Sequence, residues 1–102
     1  CVMLSNIPFK LENVSKEELD NEILRIGIIA ELDAINLYEQ LASMTKDASL
    51  KKVLLDIAKE EKTHVGEFLT LLLMKDKEGK EELNKGEKEV KNLLKKEWFF
   101  II

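Results

Sequence analysis

The chain is poor in cysteine, proline, glycine and aromatic residues. Its 102 residues include one cysteine (Cys1), one proline and four glycines, and only 6% are aromatic. A single cysteine excludes an intrachain disulfide and any metal site that needs several thiolates from one chain. Few turn-forming residues disfavour a multi-stranded sheet, whereas the abundant Leu, Ile, Glu and Lys favour helices. The composition therefore predicts an all-α fold.

The chain also lacks a basic patch and a long apolar run. Its net charge of -4 offers no electrostatic footprint for nucleic acid or for an anionic membrane. No apolar run approaches the roughly 20 residues of a membrane span, and the first residues lack the basic-then-apolar pattern of a secretory signal. We therefore expect a cytoplasmic protein with no nucleic-acid or membrane partner. A domain this small often gains stability by forming oligomers.

The pattern of residues divides the chain into three segments. Residues 1–14 contain the only proline and are expected to form an irregular N-terminal arm. Residues 15–75 show helical periodicity with one break, which predicts a helical hairpin. Residues 76–102 begin with a polar stretch, 76–86, that contains two glycines and predicts a linker, followed by a short C-terminal helix.

Capping residues mark the N-terminal ends of the two helices of the predicted hairpin. Ser15 and Glu18 have the spacing of a capping box, in which each side chain bonds the other residue's backbone amide. Residues 45–49 form the only plausible break, and either Asp47 or Ser49 is suited to cap the second helix. Because the connection is short, the two helices should lie antiparallel.

Two adjacent apolar stripes run along the first predicted helix, so its buried face is wider than one partner helix requires. One stripe is Ile23, Ile26, Ala30, Ala34, Leu37, Leu41 and Met44, and the other is Leu24, Ile28, Glu31, Ile35, Tyr38 and Ala42. The stripe of the second helix is Leu54, Ile57, Glu61, His64, Phe68 and Leu71. Two of these stripes include a carboxylate, and desolvating an unpaired carboxylate costs several kcal/mol.

Glu31 and the later Glu61-Lys62-Thr63-His64 form half of the ligand set of a di-iron bundle, in which a Glu and a Glu-x-x-His each occur twice. Residues 31 and 61 are equidistant from Lys46, in the middle of the predicted turn. Each Glu therefore lies roughly 22 Å along its helix from that turn, at the same level. Gly27, one turn before Glu31, leaves space for an imidazole or for the backbone of a partner.

The sequence offers no obvious cation for these two carboxylates. The only arginine, Arg25, lies nearly two turns from Glu31, and Lys62 points away from the stripe of Glu61. A divalent metal could serve both carboxylates, and carboxylate with imidazole suits iron, manganese or zinc. A two-fold homodimer would combine two copies of each ligand, giving four carboxylates and two imidazoles in a four-helix bundle.

A simpler interpretation also stands, because Glu-x-x-His occurs by chance in many helices. Tyr38 is then a packing residue, although its hydroxyl could hydrogen-bond a metal ligand. Asp33, Glu39, Glu60 and Glu67 are expected to be solvated, with a path for incoming cations as the alternative. Within the same fold, the site could instead be a peroxide-scavenging or manganese-binding centre of rubrerythrin type. The protein could also be a non-enzymatic helical interaction module, with Glu31 and Glu61 hydrogen-bonded in an interface.

The segments Glu31-Leu32-Asp33-Ala34-Ile35-Asn36-Leu37-Tyr38-Glu39-Gln40 and Glu60-Glu61-Lys62-Thr63-His64 resemble the encapsulated ferritin family. This resemblance implies a helical hairpin with a C-terminal helix and a di-iron ferroxidase centre at a two-fold interface. It also implies a ring of dimers, typically a decamer, that works inside an encapsulin nanocompartment. The shell protein would be the partner, with this chain as its cargo or as a domain fused to it.

The resemblance also implies roles for individual residues. Glu31, Glu61 and His64 would bind iron and carry catalysis, Tyr38 would support a ligand, and Asp33 would belong to an iron uptake site. Two positions depart from the family's pattern. Ala30 stands where some members have an acidic residue, and Leu37 replaces an aromatic residue beside the tyrosine. The uptake site is therefore expected to be weaker or built differently. The apolar tail, Trp98–Ile102, is expected to dock on a partner subunit, or the chain could be a fragment of a longer polypeptide.

Overall fold

The computed structural model describes the backbone of residues 14–101 and the side chains of residues 14–95 except that of Glu17. Three α-helices follow one another: α1 (Lys16–Met44), α2 (Ala48–Lys75) and α3 (Lys77–Ile101). Residues 14–101 contain no strand, which confirms the all-α prediction. Residues 1–13 of the expected arm and the side chains of the apolar tail lie outside the described part. No helix in that part is long and apolar enough to cross a membrane.

A three-residue connection joins α1 to α2, at the position that the sequence predicts. Oδ1 of Asp47 accepts hydrogen bonds from the amides of Ser49 (2.9 Å) and Leu50 (3.0 Å). Oγ1 of Thr45 accepts one from the amide of Asp47 (3.1 Å). Of the two candidates, Asp47 is therefore the cap, and it satisfies two amides that the helix itself leaves without partners.

The predicted capping box at the start of α1 is wrong, because the expected side-chain hydrogen bond of Ser15 is not formed. Ser15 is the N-cap residue, but its side chain makes no capping hydrogen bond. Its backbone carbonyl instead accepts the amides of Glu18 (3.1 Å) and Leu19 (3.0 Å). The helix therefore begins where expected, through the ordinary backbone pattern.

The hairpin belongs to a compact unit that ends at Leu72, and its core is small. The buried apolar side chains are Leu24, Ala34, Ile35, Ala42, Ala58 and Leu72. Three residues of the predicted stripe that contains Ala34 are exposed instead, namely Ile23, Leu41 and Met44, and Met44 is 77% exposed. The reason is geometric, since one antiparallel neighbour covers only part of a face this wide.

The predicted linker at 76–86 is also wrong, because helix α3 begins at Lys77 and runs without a break. Oδ1 of Asp76 accepts the amide of Gly79 at 2.9 Å and so caps the helix. A Cβ at position 79 would lie 2.5 Å from Oδ2 of Asp76, so this glycine allows the cap to close. Glycine costs a helix about 1 kcal/mol, and the surrounding Lys and Glu, with the ion pair Lys91–Glu87 at 2.7 Å, favour the helix.

The second compact unit, Leu73–Ile102, contains α3. Lys91 donates a hydrogen bond to the carboxylate of Glu87, and this bond with the lysine charge lowers the pKa of Glu87. The apolar side chains Leu83, Val90, Leu93 and Leu94 are each more than half exposed. Their spacing gives α3 an amphipathic pattern.

Candidate metal centre

Three side chains from two helices meet on the hairpin. Glu31 extends from α1, while Glu61 and His64 lie one turn apart on α2. One ligand atom from each residue can be chosen so that all three atoms lie within 4.8 Å of one another. The side chains that the sequence places at one level are thus brought together. A metal ion binds each ligand atom at about 2.0–2.2 Å, so two of its ligand atoms lie about 4 Å apart at most. The three side-chain atoms would therefore need to move only slightly closer together to bind one ion.

A single imidazole nitrogen faces both carboxylates. Nδ1 of His64 lies 3.3 Å from Oε2 of Glu61 and 3.5 Å from Oε2 of Glu31. Only the first contact meets hydrogen-bond geometry, so the buried Oε2 atom of Glu31 has no hydrogen-bond partner. One ring nitrogen carries at most one hydrogen and cannot satisfy two carboxylates. A cation among these three atoms would satisfy all of them, and the residues therefore fit a metal ion.

The three ligand side chains are unequally exposed. Those of Glu31 and Glu61 are 18% and 17% exposed, whereas that of His64 is 45% exposed. The carboxylates are therefore held mostly within the hairpin, and the imidazole lies on the open side of the cluster.

A groove of about 260 Å³ opens beside the cluster, lined by Glu31, His64, Glu67 and Phe68. We call it the site groove. Three of its four side chains are titratable, and Phe68 supplies an apolar wall. Glu67 is exposed, one turn after His64 on α2.

The expectation that Gly27 leaves space for an imidazole or a partner backbone is wrong. The Phe68 ring fills that space, and a Cβ at position 27 would lie 3.3–3.4 Å from three of its ring carbons. The glycine therefore lets the aromatic ring pack closely against α1. Sequence periodicity places Phe68 in the apolar stripe but does not show which residue of α1 it contacts.

The two remaining candidates are not members of the cluster. Tyr38 is partly buried on α1, about 10 Å along the helix from Glu31. Side chains on a helix lean towards its N-terminus, so its hydroxyl is directed back towards the level of Glu31. Asp33 is partly buried and two residues beyond Glu31, which places it on a different face of α1. The roles expected for both residues stay predictions.

The sequence predicts Glu67 as a solvated acid, with a path for incoming cations as the alternative, and Phe68 as a member of the apolar stripe of α2, but it does not predict that the two line one groove with Glu31. The spacing of three residues from His64 places Glu67 one turn further along the same side of α2. Phe68 follows His64 by four residues, and that spacing was the available signal.

Comparisons with known proteins identify the family of this chain. A sequence model of the EncFtn-like family matches residues 7–95. The Ferritin-like-encapsulin shell fusion protein of Pyrococcus furiosus is 61% identical over 79 residues, which make up 78% of this chain. The chain spans only 23% of the length of that relative.

A solved structure extends the agreement to three dimensions. The crystal structure of the encapsulated ferritin domain from Pyrococcus furiosus is similar, with a TM-score of 0.71 and 52% sequence identity. The similarity covers 90% of this chain and 88% of that one. The matched region includes the hairpin and all three residues of the cluster. The chain therefore belongs to the EncFtn-like family of encapsulated ferritins.

Proposed function

We propose that this protein is a ferroxidase, which oxidises Fe(II) to Fe(III) at a di-iron centre shared by two subunits. The observation that carries the proposal is the cluster of Glu31, Glu61 and His64, in which a buried carboxylate oxygen has no hydrogen-bond partner. Membership of the encapsulated ferritin family supports iron as the ion. Manganese or zinc could occupy the same ligand set.

The cluster is half of a site, and a second copy of the chain would complete it. Three ligands leave an ion with open positions, and His64 lies on the open side. A two-fold axis beside the cluster would bring a second Glu31, Glu61 and His64 against the first. The four carboxylates and two imidazoles would then match the ligand set of a di-iron bundle. The exposed apolar side chains on α1 support this dimerisation.

Each residue of the cluster would have a distinct role in the reaction. Glu31 and Glu61 supply the negative charge that offsets the charge of the iron ions and favours the ferric product over the ferrous substrate. His64 would bind through Nδ1, the nitrogen that faces both carboxylates. Tyr38 would hydrogen-bond a ligand, and Asp33 would guide incoming Fe(II).

The reaction balances with dioxygen as oxidant. Two Fe(II) ions each lose one electron, and dioxygen takes both electrons with two protons to become hydrogen peroxide. Peroxide could also serve as the oxidant. The protein's contribution is to hold two ferrous ions side by side, so that both electrons are available together.

We propose further that the protein works with an encapsulin shell. This proposal is supported by the relative in Pyrococcus furiosus, which is a ferritin-like-encapsulin shell fusion protein. The chain would act inside the shell, as cargo or as a fused domain, and a ring of five dimers is the proposed assembly. An open ring encloses no cavity for mineral, so the oxidised iron would be stored in the shell.

The test is an anaerobic titration of the metal-free protein with Fe(II), followed by the addition of oxygen. Near-ultraviolet absorbance reports Fe(III) formation, and light scattering reports the mass in the same samples. We expect binding of one iron per chain and rapid oxidation. Both should be lost in Glu31→Ala and in His64→Ala, whereas Glu60→Ala, a change to the neighbouring exposed acid, should behave as wild type.

Three results would contradict the proposal. If Fe(II) is oxidised no faster with the protein than without it, the protein is not a ferroxidase. Consumption of peroxide with bound manganese, but not of Fe(II), would favour the rubrerythrin-type alternative. A monomer that binds no metal would favour a helical interaction module.

A further inference from the structure

We propose that Glu67 is a capture residue for incoming divalent cations, which pass along the site groove to Glu31 and His64. This inference rests on the proposed function, because it concerns the route to the same centre. It starts from the lining of the groove, where Glu67 shares one continuous cavity with Glu31 and His64.

The carboxylate of Glu67 is available to a cation. It is exposed, and within the described residues it has no hydrogen bond or ion pair. Two other exposed acids differ in this respect, since Glu39 pairs with Lys62 at 3.1 Å and Glu87 with Lys91 at 2.7 Å. An unpaired carboxylate keeps its full charge for an approaching ion.

The apolar part of the site groove offers no ligand to an ion. Phe68 lines the groove beside Gly27, where an added Cβ would lie 3.3–3.4 Å from its ring carbons, and its ring has no lone pair for a cation. Among the described residues that line the groove, Glu67, His64 and Glu31 offer side-chain oxygen or nitrogen ligands to an ion. These ligands are unequally exposed, from the solvated Glu67 to the buried oxygen of Glu31. A cation moving inward exchanges water for protein ligands stepwise.

A capture residue changes the rate at which the metal binds more than it changes the final amount of bound metal. Charge at the mouth of a narrow cleft raises the local concentration of the opposite charge and the association rate. The effect weakens with salt, because the Debye length falls from about 30 Å at 0.01 M to about 8 Å at 0.15 M. A true ligand of the centre would instead change the equilibrium affinity.

The experiment measures Co(II) uptake by the metal-free full chain, with Co(II) alone as a probe that oxygen does not oxidise under these conditions. A stopped-flow instrument follows free Co(II) with an indicator dye at 0.01 M and 0.15 M salt, and equilibrium dialysis gives the stoichiometry. The variants are Glu67→Gln, Glu60→Gln and Glu31→Gln. Glu60 is the matched control, because it is an exposed acid on the same helix that does not line the groove.

We expect Glu67→Gln to slow association about threefold to fivefold at low salt, with a smaller effect at high salt. Its stoichiometry should equal that of wild type, and Glu60→Gln should associate at the wild-type rate. The inference is overturned if Glu67→Gln associates normally, if both Gln variants slow equally, or if Glu67→Gln loses equilibrium binding. A different result would contradict the proposed function itself. In that case wild type and Glu31→Gln would take up the same amount of Co(II).

Discussion

At the scale of single residues, Glu31 has a buried carboxylate oxygen that the hairpin leaves unsatisfied. Its Oε2 atom is buried without a hydrogen-bond partner, and the imidazole beside it already bonds Glu61. Leaving a buried polar group unsatisfied costs about 1–3 kcal/mol. The metal-free hairpin therefore gives up stability at this position, and a bound cation would recover it.

The first prediction follows from this cost. A metal that binds only the folded protein should stabilise wild type by about 2.7 kcal/mol at a free concentration 100 times its Kd. In Glu31→Ala the same concentration should give almost no change. Differential scanning calorimetry with and without Zn(II) measures both effects, with Glu60→Ala as the control that keeps the full shift. An undiminished shift in Glu31→Ala would show that zinc binds elsewhere.

At the scale of helices, the turn between α1 and α2 sets the register that brings the ligands to one level. Asp47 accepts two amide hydrogen bonds at the start of α2, whereas Ser49 lies within the first turn and donates its amide to that cap. The two candidate caps in the sequence are therefore not equivalent.

Asp47→Ala should cost about 1 kcal/mol of folding free energy, because two amides of α2 lose their acceptor. Ser49→Ala should change stability by less than about 0.5 kcal/mol. Urea unfolding of both variants gives the comparison from their midpoints and slopes. Equal midpoints for the two variants would contradict the assignment of Asp47 as the cap.

Two helical glycines make a second matched pair. An added Cβ at Gly66 meets nothing within 4 Å, whereas one at Gly27 meets the Phe68 ring at 3.3–3.4 Å. Gly66→Ala should gain about 0.5–1 kcal/mol from its higher helix propensity.

Gly27→Ala gains the same propensity but forces the Phe68 ring to move, and overpacking costs about 1–3 kcal/mol. It should therefore be at least about 1 kcal/mol less stable than Gly66→Ala, measured by urea unfolding at equal chain concentration. A Gly27→Ala variant as stable as Gly66→Ala would mean that the ring moves aside freely.

At the scale of the whole molecule, the chain leaves much apolar surface without cover. Fourteen large hydrophobic side chains among the described residues are exposed by more than a third, and none of the described core side chains is both large and fully buried. A small domain with this balance is expected to gain stability from partners.

Metal binding and assembly should therefore be linked, because each would favour the other. Sedimentation velocity at one protein concentration should show a larger share of dimers or rings with Zn(II) than without it. The relevant masses are two and ten times the 11.8 kDa of one chain. Glu61→Ala should show no metal-dependent change. The same mass distribution with and without metal in wild type would separate assembly from the site.

Part of the fold and of the site was predictable because it depends on distances along the chain. A helix rises 1.5 Å and turns 100° per residue, so the positions of 31, 61 and 64 relative to the turn follow from counting. The same counting places α2 and its end at Lys75 correctly. The linker predicted at 76–86 is wrong because the role of a glycine depends on its neighbours in space. Gly79 supports a cap and does not break α3.

Local spacing along the chain is enough to predict the helical class, the turn at Asp47 and the level at which Glu31 meets Glu61 and His64. Three features follow instead from how α1 and α2 pack: Phe68 occupies the space beside Gly27, the Oε2 atom of Glu31 lacks a partner, and Glu67 shares a groove with the ligands. These features depend on the rotation of each helix about its axis and on side-chain rotamers. Packing between the helices sets both, and spacing along one helix does not reveal them.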